Sequence, residues 1–434
     1  MKILILTTFF PPLNSIASLR PYSWAKCWSL AGHEVTVVTV KREITPYALD
    51  LPNTGFHLQE IEENRFLKWL REQKATPQTT KEARPAAKPK KSFISKLRQR
   101  GLFSALRMPD ITDLWIRPAL SYAKGTNITW DLVVSTAGPY APHAVAYSLK
   151  QQARAKQWIA DFRDPWVDHH FFTGMWPFTI LEKHLENKYA AAADLISVVT
   201  PGMEEIFSKK YPNAKVALIE NGIDSDDWQT LDPGPIFPND RCFRIVYTGT
   251  IQAGFRDPSP LFEAIAECAH EERWRTVLEN LEVIFAGPSL GNLDELIAQY
   301  QVGKWVKNIG MKSRTEALRM QRDADMLLFL EWWHPSSYYV LTGKLFEYLA
   351  TGNPILALGI QEGSDSGKLI LKLQAGSLCP DKITTKHAVQ DILQKIENNA
   401  HKQKKPATDG SFARIARFER KRLAEKLLQL TGLV

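Results

Sequence analysis

The chain has 434 residues, 44% of them hydrophobic, with four cysteines and a formal charge of +8. That composition argues against a disordered polymer, and the length is enough for two domains with cores of their own. The cysteines (Cys27, Cys242, Cys268 and Cys379) lie far apart with no C-x-x-C pair, which argues against a disulfide framework or a zinc site and suits a reducing compartment. The charge is localised: from Arg65 to Arg107 there are thirteen Lys and Arg against two acids, Glu72 and Glu82, a net +11 that leaves the remainder at −3. A basic segment has been inserted into a slightly acidic protein.

Residues 2–8, KILILTT, form an apolar run that ends in a loop with Pro11 and Pro12. The run is short, starts at once and lacks a small-residue cleavage site, so it reads as a first strand and not a signal peptide. No run of about eighteen apolar residues follows, so no membrane span is expected. Residues 15–31 have helical spacing, with Trp24, Trp28 and Ala31 among the apolar positions; Gly32 ends the helix, and EVTVVTV is a β-branched strand. This strand–loop–helix–strand unit starts a parallel α/β sheet. The pattern resumes with DLVVSTAG (131–138), a helix at 142–154, the WIADF strand, a helix at 178–193 and DLISVVT (194–200).

One more short helix follows Pro201, then KVALIENGID (215–224) and a Pro-rich acidic stretch, DPGPIFPND, that reads as an interdomain linker. FRIVYTGT, a helix from PSPLFEAIAECAH, LEVIFAG, VKNIGM, a helix at 313–323, DMLLFL and KLFEYLATGNPILALG make a second α/β set. The reading is an α/β protein of two Rossmann-like domains, about 1–205 and 215–410, facing each other across a cleft. A helical, basic tail from Phe412 (about 412–434) is expected to pack back on the first domain. In such sheets ligands bind at the carboxyl ends of the strands.

Two stretches put chemistry at those ends. In WIADFRDPW, Asp161, Arg163 and Asp164 lie where a strand stops; they either reach a ligand, or Arg163 and Asp164 pair with each other or cap the next helix. In YVLTGKLFEYLATGNPILA, Thr342 and Gly343 precede a helix beginning near Lys344. A helix start offers free N–H groups and partial positive charge, suited to a diphosphate. Lys344 adds a full charge, and Glu347, one turn in, can accept bonds from ribose hydroxyls. An ordinary amphipathic helix burying Leu345, Phe346 and Leu349 is compatible with this, because the polar residues use another face. The loop YTGTIQAGFRDPSP adds Gly249 after a strand and Arg256, which can fold onto the same phosphates.

With these residues in hand, the chain resembles the retaining glycosyltransferases of family 4, which have the type-B fold. The resemblance spans nearly the whole chain. It rests on FFPPLNSIASLRPYSWAKCWSLAGHEVTVVT and IADFRDPW in the first domain, and on ENGID, YTGT, IFAGP and GKLFEYLATGNPILA in the second. It implies transfer of a sugar from a nucleoside diphosphate sugar to an acceptor, with retention and without a metal or other cofactor. The second domain would bind the donor through Gly249, Thr250, Arg256, Thr342, Gly343, Lys344 and Glu347. Glu347 matches the second Glu of the family's Glu–seven residues–Glu motif, but the first falls on Tyr339, and Glu331 lies at a different spacing. Thr250 stands where a second Arg is common. The first domain would hold the acceptor, with Asn14, Ser15 and Arg20 on a loop where the family usually has glycines. Arg163 stands where many members have a catalytic His; Asp161 or Asp164 would orient the acceptor or sugar, and His143 is a further catalytic candidate.

The implied partners are a nucleotide sugar and a glycan or lipid-linked glycan acceptor, as in polysaccharide biosynthesis. Within the basic segment, the stretch from Ser92 interleaves Phe93, Ile94, Leu97, Phe103 and Leu106 with basic residues. That suits an anionic membrane surface through 81–107 and a cytoplasmic, peripheral location, the alternative being a solvated loop. Nucleic acid is not an expected partner, because no recognised motif accompanies the charge. Competing readings are a catalytically silent scaffold of polysaccharide assembly and a nucleotide-sugar epimerase of the same fold.

Overall fold

The computed structural model describes residues 1–62, 112–167, 177–251, 254–331, 338–398 and 414–433. The basic segment, with its interleaved apolar and basic stretch from Ser92, lies outside them. In chain order the strands are β1 (Lys2–Leu6), β2 (Glu34–Val40), β3 (His57–Ile61), β4 (Trp130–Ala137), β5 (Ala155–Phe162), β6 (Leu195–Val198), β7 (Val216–Leu218), β8 (Phe243–Thr248), β9 (Leu281–Ala286), β10 (Val306–Asn308), β11 (Met326–Leu330), β12 (Ile355–Leu358) and β13 (Gly376–Cys379). The helices are α1 (Ile16–Leu30), α2 (Asp113–Gly125), α3 (Ala141–Gln151), α4 (Phe178–Ala192), α5 (Pro201–Lys210), α6 (Ser225–Gln229), α7 (Ser259–His270), α8 (Glu272–Arg275), α9 (Leu293–Gln299), α10 (Arg314–Asp323), α11 (Gly343–Thr351), α12 (Asp365–Lys372), α13 (Lys382–Glu397) and α14 (Arg420–Gln429). The chain forms two compact units. One holds Met1–Val199, Met203–Ile219 and Ala424–Val434; the other holds Thr200–Gly202 and Glu220–Leu423.

Among the described residues each unit is built on one parallel sheet. The first runs β3-β2-β1-β4-β5-β6-β7 and the second β10-β9-β8-β11-β12-β13. Both orders reverse direction once, between β1 and β4 and between β8 and β11. At such a switch point the loops leaving the two strands diverge and open a crevice at their carboxyl ends. The loops that carry Gly249 and Glu331 therefore start side by side, as do those after β1 and β4.

Strand periodicity decides what each face does. On β5, Trp158, Ala160 and Phe162 join one hydrophobic cluster with Trp130, Val133 and Phe207. Asp161 consequently points to the opposite face. In the second unit, β8 sends Ile245 and Tyr247 to one cluster and Val246 to another, so both faces of that sheet are covered. Nearly continuous apolar strands are what a doubly covered parallel sheet requires.

Two boundaries differ from the sequence reading. The helix expected to 154 stops at Gln151, where Ala153 takes a left-handed φ of 52°. The tail is not one helix: a short 3-10 turn, Ala416–Phe418, precedes α14. The break has a cause. Ile223 donates its N–H to the Phe418 carbonyl at 3.0 Å and accepts from Arg420 at 2.8 Å. Gly222 makes this approach possible, because a Cβ there would lie 2.2 Å from the Phe418 carbonyl oxygen. Gly222→Ala should therefore destabilise the protein by about 1–3 kcal/mol, the usual cost of overpacking against backbone. Urea unfolding of the two proteins measures this, and an unchanged midpoint would contradict the packing described.

Candidate functional site

In the second unit the candidate residues converge. Helix α11 starts at Gly343 with Thr342 as its N-cap, and among the described residues no side-chain hydrogen bond caps it. The Leu345 N–H donates to the Thr342 carbonyl at 3.1 Å, so the N–H groups of Gly343 and Lys344 ahead of it are the ones placed to meet a ligand. Lys344 turns back across the end of β8: a Cβ on Gly249 would sit 2.6 Å from Lys344 Cε and 2.7 Å from Nζ. Gly249 also has φ +139°, which L side chains rarely adopt. The backbone conformation therefore favours glycine there, and any side chain would also push the flexible end of Lys344 away. The amine lies 3.4 Å from Thr248 Oγ1 and 5.8 Å from each of the Tyr247 and Tyr348 ring centroids. Burial pulls the Lys344 pKa down to about 8; Glu347 works against this, while Arg256 and Arg314 add to it.

Arg256 donates to the Thr250 carbonyl at 3.3 Å and stands 4.0 Å from the Glu331 carboxylate. Thr250 contributes only its backbone here; its carbonyl also accepts from the Tyr247 hydroxyl at 2.7 Å. Glu331 is 3% exposed at the end of β11. Tyr339, which takes the place of the first motif Glu, lies on the chain's own surface at 43% exposure, with its carbonyl accepting from Thr200.

Glu347 is not the open carboxylate the sequence suggested. Arg314 donates to Oε1 at 2.7 Å and Gln321 to Oε2 at 3.2 Å. Burial alone would raise its pKa, but Arg314 and Lys344 outweigh that and hold it below the ordinary value. Arg314 in turn donates to Asp227 at 2.7 Å. With one bond on each oxygen, Glu347 still has acceptor capacity left.

In the first unit the candidates separate. Asp161 is fully buried and receives four donors: Arg20 Nε at 3.1 Å, Arg20 Nη2 at 2.7 Å, Thr136 at 2.7 Å and Ser197 at 2.7 Å. Thr136 and Ser197 stand beside it in register on β4 and β6. Burial raises its pKa, and Arg20 with the hydroxyls brings it below the ordinary value. All four lone-pair directions are used, so Asp161 and Arg20 tie α1 to three strands instead of presenting themselves to an acceptor. Ser15 is spent as the N-cap of α1, accepting from Ala17, and Asn14 donates to the Tyr47 carbonyl.

His143 is also internal. It is 0% exposed, 2.7 Å from Ser135 Oγ through Nδ1, with the Phe162 ring 4.6 Å away. Burial lowers its pKa to about 3. The sequence reading offered His143 as a further catalytic candidate; the fold places its imidazole inside the first unit, packed on Ser135 and Phe162. Arg163 donates to the Ala137 and Gly138 carbonyls at 3.0 and 2.6 Å and lies over Phe9, drawing together the loops after β1, β4 and β5. Asp164 is half-buried, and its charge is the leading one that supports the Arg163 guanidinium against burial.

No family profile and no curated protein matches the chain. Solved structures do match its fold. Sucrose-phosphate synthase from Thermosynechococcus elongatus aligns with a TM-score of 0.62 at 15% identity, covering 99% of this chain and 98% of that one. A glycosyltransferase from Rickettsia africae aligns at 0.59 and 12%, covering 99% and 97%. The E. coli trehalose-6-phosphate structure bound with UDP-2-fluoro glucose aligns at 0.63 and 10%, covering 100% and 99%. The chain has the type-B glycosyltransferase fold.

Within this type-B fold the sequence reading missed Arg314, Gln321 and Asp227. Arg314 and Gln321 are seven residues apart on α10 and so share a face. Gln321 is 1% exposed next to buried Leu318 and Met320; an amide at an apolar helical position was the available signal. Among the described residues no helix is long and apolar enough to cross a membrane.

The buried His143 makes a pH prediction. Its folded pKa of about 3 lies below its unfolded value of 6.5. The unfolded chain therefore binds a proton that the folded chain does not, and stability falls as pH drops below about 6.5. At pH 5 this group should have cost about 2 kcal/mol relative to pH 7.5. Urea midpoints at the two pH values should shift less in His143→Gln than in wild type. Equal shifts would contradict the assignment.

Proposed function

We propose that this chain is a retaining, metal-independent glycosyltransferase of the family-4 type, which binds a nucleoside diphosphate sugar in its second unit. The observation that carries the reading is the convergence on one helix start. The uncapped N–H groups of α11, the buried Lys344 amine on Gly249, and Arg256 from the neighbouring loop all offer positive charge. Glu347 follows one turn later with acceptor capacity to spare. Diphosphate oxygens suit the first three groups, and a ribose diol suits the last.

The costly step in such a reaction is departure of the nucleoside diphosphate, as negative charge grows on the leaving oxygen and the sugar becomes oxocarbenium-like. Lys344, Arg256 and the helix N–H groups are fixed before that charge appears, which is what electrostatic stabilisation needs. The acceptor would then attack on the face the diphosphate leaves, passing its proton to the departing phosphate. In the first unit Asp164 is the group we assign to orienting the acceptor, because Asp161, Arg20 and His143 are committed elsewhere. We further propose a glycan or lipid-linked glycan as acceptor and an anionic membrane surface met by residues 81–107, on the strength of that segment's concentrated positive charge.

The test is a panel of nucleoside diphosphate sugars assayed for thermal stabilisation and slow donor hydrolysis. One donor present at a hundred times its dissociation constant should add about 2.7 kcal/mol of apparent stability. Stabilisation by none of them would overturn the reading; binding without turnover would mark a silent scaffold. Lys344 supplies a sharper outcome. An anion prefers the protonated amine, so affinity should fall as pH rises above about 8, where that proton is lost. Calorimetric titration with the active nucleotide at pH 7 and pH 9 should show the fall in wild type and its absence in Lys344→Met, which should bind at least tenfold more weakly at pH 7.

A further inference from the structure

Glu347 depends on a residue that touches more of the site than the acid itself. Gln321 on α10 donates through Nε2 to Thr248 Oγ1 at 2.8 Å and to Glu347 Oε2 at 3.2 Å. The amide cannot face the other way, because a carboxylate only accepts, so the nitrogen must point at Glu347. Its backbone is pinned as well: Asn353 donates to the Gln321 carbonyl at 2.9 Å. Gln321 Oε1 is buried and has no hydrogen-bond partner among the described residues. Leaving a buried acceptor unmet is costly, which an apolar residue at this position would avoid.

Thr248 is the last residue of β8 and opens the Gly249 loop. Its N–H donates to the Tyr348 hydroxyl at 3.1 Å, and its own hydroxyl is shared by Gln321 and Lys344. One amide therefore spans the strand end that begins the phosphate loop and the helix that carries Lys344 and Glu347. Arg314 holds the other oxygen of Glu347, so the carboxylate is fixed from two sides by residues of one helix.

We propose that Gln321 is a positioning residue for the donor nucleotide. It sets the Glu347 carboxylate so that its remaining lone pairs face a ribose diol, and it sets Thr248 so that Gly249 and Lys344 keep their spacing. The inference rests on the donor site proposed above, and it concerns what makes that site competent.

The experiment uses the full chain as wild type, Gln321→Leu and Gln321→Glu, titrated calorimetrically with UDP, GDP and ADP from pH 5.5 to 8.5, with thermal melting as the folding control. Gln321→Leu should bind the preferred nucleotide at least tenfold more weakly. In Gln321→Glu two carboxylates face each other, and both cannot ionise at that distance without penalty. When protonated, the new acid donates to Glu347 as the amide did; when ionised, it repels Glu347. Its affinity relative to wild type should thus be near one at pH 5.5 and fall at least tenfold by pH 8.5. A merely structural glutamine would give a flat ratio, and a flat ratio overturns the proposal, as does wild-type affinity in Gln321→Leu. If Gln321→Leu does not fold, the pH ratio of Gln321→Glu decides alone. Failure of wild type to bind any of the three nucleotides would overturn the donor site itself, and the inference with it.

Discussion

A carboxylate removed from water must have its charge met, and two such carboxylates organise this protein. Asp161 in the first unit and Glu347 in the second are both buried, and each is held by an arginine from a helix packed on its sheet. Breaking a buried pair by deleting one partner leaves an uncompensated charge and costs about 3–5 kcal/mol. The geometry around each acid is consequently rigid. The two differ in what is left over. Asp161 spends all its acceptor capacity inside the fold, whereas Glu347 does not. The same chemical device closes on itself in the first unit and leaves acceptor capacity in the second.

That difference explains why the two candidate sites fared differently. A strand end with charges invites a ligand in either unit. In the first, the cross-strand row Thr136–Asp161–Ser197 and the guanidinium of Arg20 close the invitation. Arg163 ties three loops together through carbonyls and an aromatic ring. In the second, the charges at the switch point are the Lys344 amine and the Arg256 guanidinium beside the start of α11, with Glu331 4.0 Å from Arg256 and Glu347 acting on Lys344. Lys344 sits in a buried setting that depresses its pKa, a kind of perturbation that clusters at functional sites.

The order and kind of elements were legible in the sequence because local signals write them: β-branched runs, helical spacing, and Gly32 at a helix end. The start of α11 was legible for the same reason, since Thr342, Gly343, Lys344 and Glu347 are close in the chain. What was not legible is pairing across distance. Arg20 and Asp161 are 141 residues apart, and Arg314 and Glu347 are 33 apart. No periodicity links such residues. The sequence therefore offered Asp161 and His143 for their types and places after strands, and Arg20 for its place after the first strand; only packing reveals that Arg20 lies within α1 and that these residues already have partners. Gly222 is an intermediate case: a glycine in a plausible loop, whose purpose becomes clear only when the Phe418 carbonyl is placed against it.

The central claim is that the start of α11 is a diphosphate site. The most direct measurement is a crystal structure of the full chain grown with the nucleoside diphosphate that stabilises it best. The account predicts phosphate oxygens within hydrogen-bonding distance of Lys344 Nζ and the Gly343 N–H, with the ribose hydroxyls on Glu347. A nucleotide bound elsewhere, with Lys344 still turned onto Gly249 and no anion beside it, would contradict the account.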